Sequence, residues 1–147
     1  MDKEQFFERI MTACAWDKQG NDDEIIRPLV EWLSKQPDEE IFSFDDIMAE
    51  LLYALDTRKN FETARKAYPH GDDSFLYSRC VALVNGKQYY EKSLSGKKKD
   101  LWKMGFETIL YVPKYAWGLK YNKSPMDYPH LTPLSYETGS NKDGWRK

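Results

Sequence analysis

Apolar residues recur every three or four positions through most of this chain, the spacing that gathers them on one face of an α-helix. Phe6, Phe7, Ile10, Met11 and Cys14 keep that spacing and leave Glu4, Glu8 and Arg9 for water, which predicts a first helix over residues 3–16. Asp2 precedes it and Gln5 follows three positions later, a pair able to exchange hydrogen bonds across the first turn. Trp16 closes the apolar face and Lys18-Gln19-Gly20-Asn21 reads as a turn. Ile25, Ile26, Leu29, Val30 and Leu33 mark a second helix from about Asp23 to Lys35. Pro28 lacks the amide a helix interior needs, so the expected start moves as late as Arg27. The third stripe, Ile41, Phe44, Ile47, Met48, Leu51, Leu52 and Leu55, is the longest and predicts the central core helix, with Asp38 as its cap.

Residues 57–60 read as a polar turn before a helix from Phe61 to Tyr68, which Pro69-His70-Gly71 ends. A fifth helix carries Phe75, Leu76, Cys80, Leu83 and Val84, with Asp72 or Asp73 as cap and Gly86 just past its end. A short sixth runs from Tyr89 to Leu94. A seventh starts near Asp100, is kinked or restarted at Pro113, and reaches about Tyr121. Periodicity then stops. Residues 122–147 hold Pro125, Pro129, Pro133, Gly139 and Gly144, yet also Tyr128, Leu131, Leu134, Tyr136 and Trp145. Large apolar groups at irregular spacing predict an extended arm docked on the helices rather than a solvated tail. The expectation is an all-α fold, an irregular multi-helix bundle with an extended C-terminal arm packed on it. Residues 1–121 form the helical domain and 122–147 the irregular arm of that same domain.

Length and composition sharpen this picture. A chain of 147 residues is the size of one domain and can bury a core without disulfide or metal staples. Aromatic residues make up 15% of it, a surplus that suits interfaces as well as cores. No run approaches the roughly 20 apolar residues of a membrane span, and the start, Met1-Asp2-Lys3-Glu4-Gln5, is too acidic and polar for a secretory leader. Cys14 and Cys80 lack CxxC spacing and read as buried thiols of a reducing compartment. A cytoplasmic protein without a membrane partner is therefore expected. Net charge is −2, but residues 1–56 hold fifteen Asp/Glu against five Lys/Arg, and residues 57–147 hold nine against seventeen. Two parts of one domain packed with complementary fields account for that split; a basic binding face is the alternative.

Candidate chemistry is sparse. His70, Asp72 and Asp73 cluster at a helix start, where an imidazole and two carboxylates can hold a divalent metal or poise an acid and a base. A turn glycine followed by a capping aspartate explains the same residues, His70 apart. Arg79 lies seven positions after Asp72, near the same helix face, placed to bind an anion or to anchor a carboxylate. Lys97, Lys98, Lys99 and Lys103, with Lys87, Lys92 and neighbouring tyrosines, offer a basic surface for nucleic acid, or simply a solvated loop. His130 is a lone histidine on the arm. No GxSxG, HExxH, phosphate-binding glycine loop, dinucleotide fingerprint or EF-hand loop occurs. No cofactor and no metal site are expected, and the balance leans against an enzyme.

The run from Ser43-Phe44-Asp45 to Leu55, then Ala64 to Tyr68, Gly71-Asp72-Asp73-Ser74-Phe75, Arg79, Gly86 and Tyr90 resembles a bacterial family designated domain of unknown function 4240. The resemblance covers about the first 95 residues. It implies a helical fold and a bacterial origin, and it directs attention to Asp72, Asp73 and Arg79. Two positions depart from the family pattern. Val81 stands where a tryptophan usually follows the arginine, and Gly71 where Ser or Cys often precedes the acidic pair. The leading functional expectation is a non-enzymatic protein-interaction or accessory module with a protein partner. The alternatives are a nucleic-acid-binding protein using Lys97–Lys103, and a small enzyme or ligand binder using His70, Asp72, Asp73 and Arg79.

Overall fold

The apolar stripes become helices in the computed structural model, which describes residues 1–146. Among these residues there are eight α-helices and no strand: α1 (Lys3–Ala13), α2 (Asp22–Ser34), α3 (Asp38–Leu55), α4 (Arg58–Ala67), α5 (Asp72–Val84), α6 (Lys87–Leu94), α7 (Val112–Tyr121) and the single turn α8 (Lys142–Trp145). Short 3-10 turns occupy Trp16–Lys18, Asp100–Lys103, Glu107–Tyr111 and Pro125–Asp127. Helix α3 runs through the centre, with Ile41, Phe44, Met48, Leu52 and Leu55 fully buried against Phe6, Ile10, Leu29, Leu33, Phe75 and Trp102. Each such side chain contributes roughly 1.5–3 kcal/mol of transfer free energy. Helices α2 and α7 form the broadest helix pair.

Helix starts follow local chemistry more often than the apolar pattern alone indicates. The α1 start is as expected: Gln5 N donates to Asp2 Oδ1 and Asp2 N to Gln5 Oε1, each at 2.8 Å. That helix ends at Ala13 rather than residue 16, because Ala15 N donates across to the Ile25 carbonyl at 2.8 Å. Helix α2 starts at Asp22, where Asn21 caps the Glu24 amide, so Pro28 lies inside the helix. The amide it lacks would have served the carbonyl of Glu24, an exposed residue whose backbone water can reach. Asp38 does not cap α3; its carboxylate is taken by Lys120 Nζ at 2.6 Å and the Tyr121 hydroxyl at 2.7 Å. Thr57 caps α4 through the Asn60 amide, which turns the expected polar turn into helix. Neither Asp72 nor Asp73 caps α5, since Gly71 holds that position and donates its amide to Ser74 Oγ at 3.0 Å. Helix α6 starts at Lys87, two residues before the expected position.

The largest departure is the expected helix from Asp100 to Tyr121. Its first half is two 3-10 turns, and only α7 is α-helical. Between the turns, Phe106 N donates to the Tyr77 carbonyl at 3.0 Å and Gly105 packs on Tyr77, so docking against α5 overrides helical continuity. Pro113 sits in the first turn of α7, where its missing amide costs nothing. After α7 the chain reverses through Asn122, in the left-handed region at φ 53°. It passes so close to Gly118 that a Cβ there would lie 2.8 Å from the Lys123 carbonyl oxygen.

The arm then lies across the helices. Tyr128, Tyr136 and Trp145 pack on the core, whereas Leu131, expected as an anchor, is 90% exposed. Three aspartates of the α3 segment grip it. Asp45 accepts from the Tyr128 hydroxyl at 3.0 Å, and Asp46 Oδ1 lies 2.7 Å from His130 Nε2. The fully buried Asp56 accepts from the amides of Gly139 and Asn141 and from Trp145 Nε1. Together with Glu4–Lys87 and Asp38–Lys120, the Asp46–His130 pair joins the acidic N-terminal part to the basic remainder.

Candidate functional site beneath the arm

The arm does not lie flat. Between it, α3 and α7 it leaves a cleft of about 480 Å³. Asp45 comes from α3, Pro113 and Lys114 from α7, and Leu110 from the preceding 3-10 turn; Tyr128, His130, Leu131, Tyr136 and Glu137 come from the arm. Asp45 follows Phe44 in the core stripe, so the helix holds its carboxylate at the seam, 8% exposed. Oδ2 takes the Tyr128 hydroxyl; Oδ1 takes no hydrogen bond from any described residue.

Burial dominates the electrostatics. It raises the Asp45 pKa above the ordinary carboxylate value, against the Tyr128 hydrogen bond and the charges of His130 and Lys114, which act to lower it. The Tyr128 hydroxyl is pushed up by burial and by the Asp45 carboxylate, and Tyr136 is pushed up to about 12 by burial with Asp45 and Glu137 nearby. Both phenols therefore stay protonated as donors. His130 stacks on Phe42 with ring centroids 4.5 Å apart. Lys114 Nζ lies 6.0 Å from the Tyr111 ring. The result is a concave, aromatic-walled site with a desolvated carboxylate in its wall, suited to binding a donor group or a cation.

The residues singled out from the sequence are dispersed. His70 is buried, with Nε2 2.7 Å from the Trp102 carbonyl and Nδ1 3.0 Å from Ser74 Oγ. A carbonyl only accepts, so in the neutral ring Nε2 carries the proton and Nδ1 accepts from Ser74. His70 lines a separate groove of about 270 Å³ with Ser74, Tyr77 and Trp102. Asp72, Asp73 and Arg79 line neither that groove nor the arm cleft. The two aspartates are exposed on the first turn of α5, where the helix dipole favours them.

Arg79 is fully buried. It donates to the Leu52 carbonyl at 2.9 Å and to Thr138 Oγ1 at 3.1 Å, and it lies 4.8 Å over the Phe75 ring. Burial lowers its pKa while Asp56 opposes that shift. Arg79 thus reaches the arm through Thr138, which in turn donates to the Asp72 carbonyl at 2.7 Å. Lys97 and Lys99 are exposed on the turn after α6, and Lys98 lies 3.9 Å from Asp100. Lys99 and Lys103 line a groove of about 550 Å³ together with Lys66, Asp100 and Trp102. No three His, Cys, Asp or Glu side chains gather to hold a metal ion, and no helix is long and apolar enough to cross a membrane, among the described residues.

In sequence, Asp45 is named only within the run that carries the family resemblance, and none of Asp45, Asp46 and Asp56 is singled out as a site residue. The available signal was position: Asp45 lies inside the buried arc of α3, and Asp56 directly follows the core residue Leu55. A carboxylate at such a place needs partners from elsewhere in the chain.

A model of a family described as protein of unknown function, DUF4240, matches residues 1–117. No curated protein and no solved structure matches the chain. The matched region supplies Asp45, Asp56, Arg79 and Lys114; Tyr128, His130, Tyr136 and Glu137 of the cleft lie beyond it.

Proposed function

We propose that this chain, which belongs to the DUF4240 family, is a non-enzymatic protein-interaction module that holds a segment of its partner in the cleft beneath the arm. One observation carries this reading: a concave seam presents the largely buried Asp45 with one carboxylate oxygen that no described donor takes and that reaches the cleft, and Leu131 stands almost wholly exposed on its rim. An apolar contact beside a desolvated polar anchor is the pattern of an interface centre. The site offers positioned donors and acceptors, and among the described residues no hydrogen bond joins Ser135 to His130: Ser135 accepts from Ser140 and His130 faces Asp46. The test is affinity purification from the source cell with the wild type and Leu131→Asp in parallel. A stoichiometric protein held by the wild type and lost from the variant is the expected result. Equal recovery with both would remove the cleft from the interaction.

The lysine groove supports a second reading. Lys66 from α4 joins Lys99 and Lys103, at the two ends of one 3-10 turn, so three cations face one surface suited to a phosphate backbone. Nucleic-acid binding there predicts affinity for a single-stranded oligonucleotide that falls steeply with salt and is lost in Lys99→Glu/Lys103→Glu. Salt-insensitive binding, or none, would dismiss it.

A further inference from the structure

Two carboxylates line the arm cleft without an ion-pair partner among the described residues, Asp45 and Glu137. Of the other charges nearby, one is engaged and one, Lys114 of the cleft wall, has no ion-pair partner among the described residues. Asp46 faces His130 at 2.7 Å, and Lys114 Nζ, 6.0 Å from the Tyr111 ring, also acts on Asp45. Both carboxylates line the cleft together with Tyr136. An anionic ligand would meet two carboxylates against the single lysine Lys114 here, and an apolar one would leave Asp45 Oδ1 desolvated without a donor, which is costly.

We infer that the cleft receives an arginine side chain of the partner protein, its guanidinium shared between Asp45 and Glu137 and laid against the Tyr136 ring. The inference rests on the protein-interaction reading and names the chemistry of the anchor. Arginine fits better than lysine for a geometric reason. Tyr128 already occupies Asp45 Oδ2, so a single carboxylate cannot be gripped by both arms of a fork. A planar guanidinium with donors on several edges can serve two separate carboxylates at once, and its face stacks on an aromatic ring; an ammonium is a strongly hydrated point charge. Leu131, at the rim, is placed to meet an apolar neighbour of that arginine.

The experiment titrates the full chain, followed by backbone amide resonances, with three capped tripeptides: Gly-Arg-Gly, Gly-Lys-Gly and Gly-citrulline-Gly. Citrulline keeps the shape of arginine and removes the charge. Shifts confined to residues around Leu110, Lys114 and Tyr136, with the citrulline peptide at least about tenfold weaker and the lysine peptide in between, are expected. Asp45→Asn, shown folded by circular dichroism, should weaken the arginine peptide by a similar factor, and Glu137→Gln by less. Equal affinity for arginine and citrulline, binding unchanged in Asp45→Asn, or no shift at the cleft at saturating peptide would overturn the inference. The two failures are distinguishable. A partner lost in Leu131→Asp but kept in Asp45→Asn overturns the arginine anchor and leaves the module. Cleft binding of the arginine peptide without any partner in cells overturns the module and with it the partner's arginine, leaving only a guanidinium-selective cleft.

Discussion

Asp45 holds its charge at a seam where a single hydroxyl, that of Tyr128, reaches it. Burial raises its pKa above the unfolded value near 3.8, so the folded state binds the proton more tightly than the unfolded chain does. Stability from this group is full below that value and is lost as pH rises through the raised folded value. Asp45→Asn removes the dependence and retains an oxygen for Tyr128. Urea unfolding at a series of pH values should therefore show the wild type losing stability relative to the variant as pH climbs above about 4, with the two curves parallel at neutral pH. A wild type that gains relative to the variant over that window would mean ion pairing, not burial, governs Asp45. Tyr128→Phe removes the one donor and should cost about 1–3 kcal/mol at neutral pH.

Helices and their joints are where local chemistry and tertiary contact compete. The Asp2–Gln5 pair was readable because both partners lie within one turn. Asp38 was misread because Lys120 and Tyr121, more than eighty residues away, claim the carboxylate a cap would use. The α7–arm reversal turns on Gly118, where a Cβ would meet a backbone oxygen at 2.8 Å. Neither the helix nor the Lys123 peptide can give way cheaply, so Gly118→Ala should destabilise by roughly 1–3 kcal/mol despite alanine's better helix propensity. Thermal unfolding monitored at the helical band checks the sign; a stabilised variant would show that the arm can lift at that point.

At the scale of the molecule, the arm is fastened by a buried network. Asp56 gathers two amides and the Trp145 indole N–H, and Arg79 ties Leu52 to Thr138. Removing the carboxylate leaves three donors and the buried guanidinium without it, so Asp56→Ala should cost about 3–5 kcal/mol. It should also bring proteolytic cleavage within 122–146 ahead of cleavage in the helices; unchanged arm protection would place the fastening elsewhere. Cys14 and Cys80 are both buried, and burial pushes each thiol up to about 12. Neither should react with iodoacetamide at pH 8 in the native state, and both should react in denaturant.

The helical class, the stripes of α1 to α5, the glycine end of α5 and the apolar residues of the arm were set by the sequence itself. Helical hydrogen bonds and the packing face of each turn depend on residues three and four apart, and that information is local. The tertiary structure alone decided the break of the Asp100–Tyr121 segment, the burial of Arg79 and the cleft. Their partners are remote: Asp45 meets Tyr128 and Asp56 meets Gly139 across 83 residues each. A polar side chain reads the same in sequence whether water or a distant segment satisfies it. Only folding, by desolvating Asp45, Asp56 and Arg79, settles which one does.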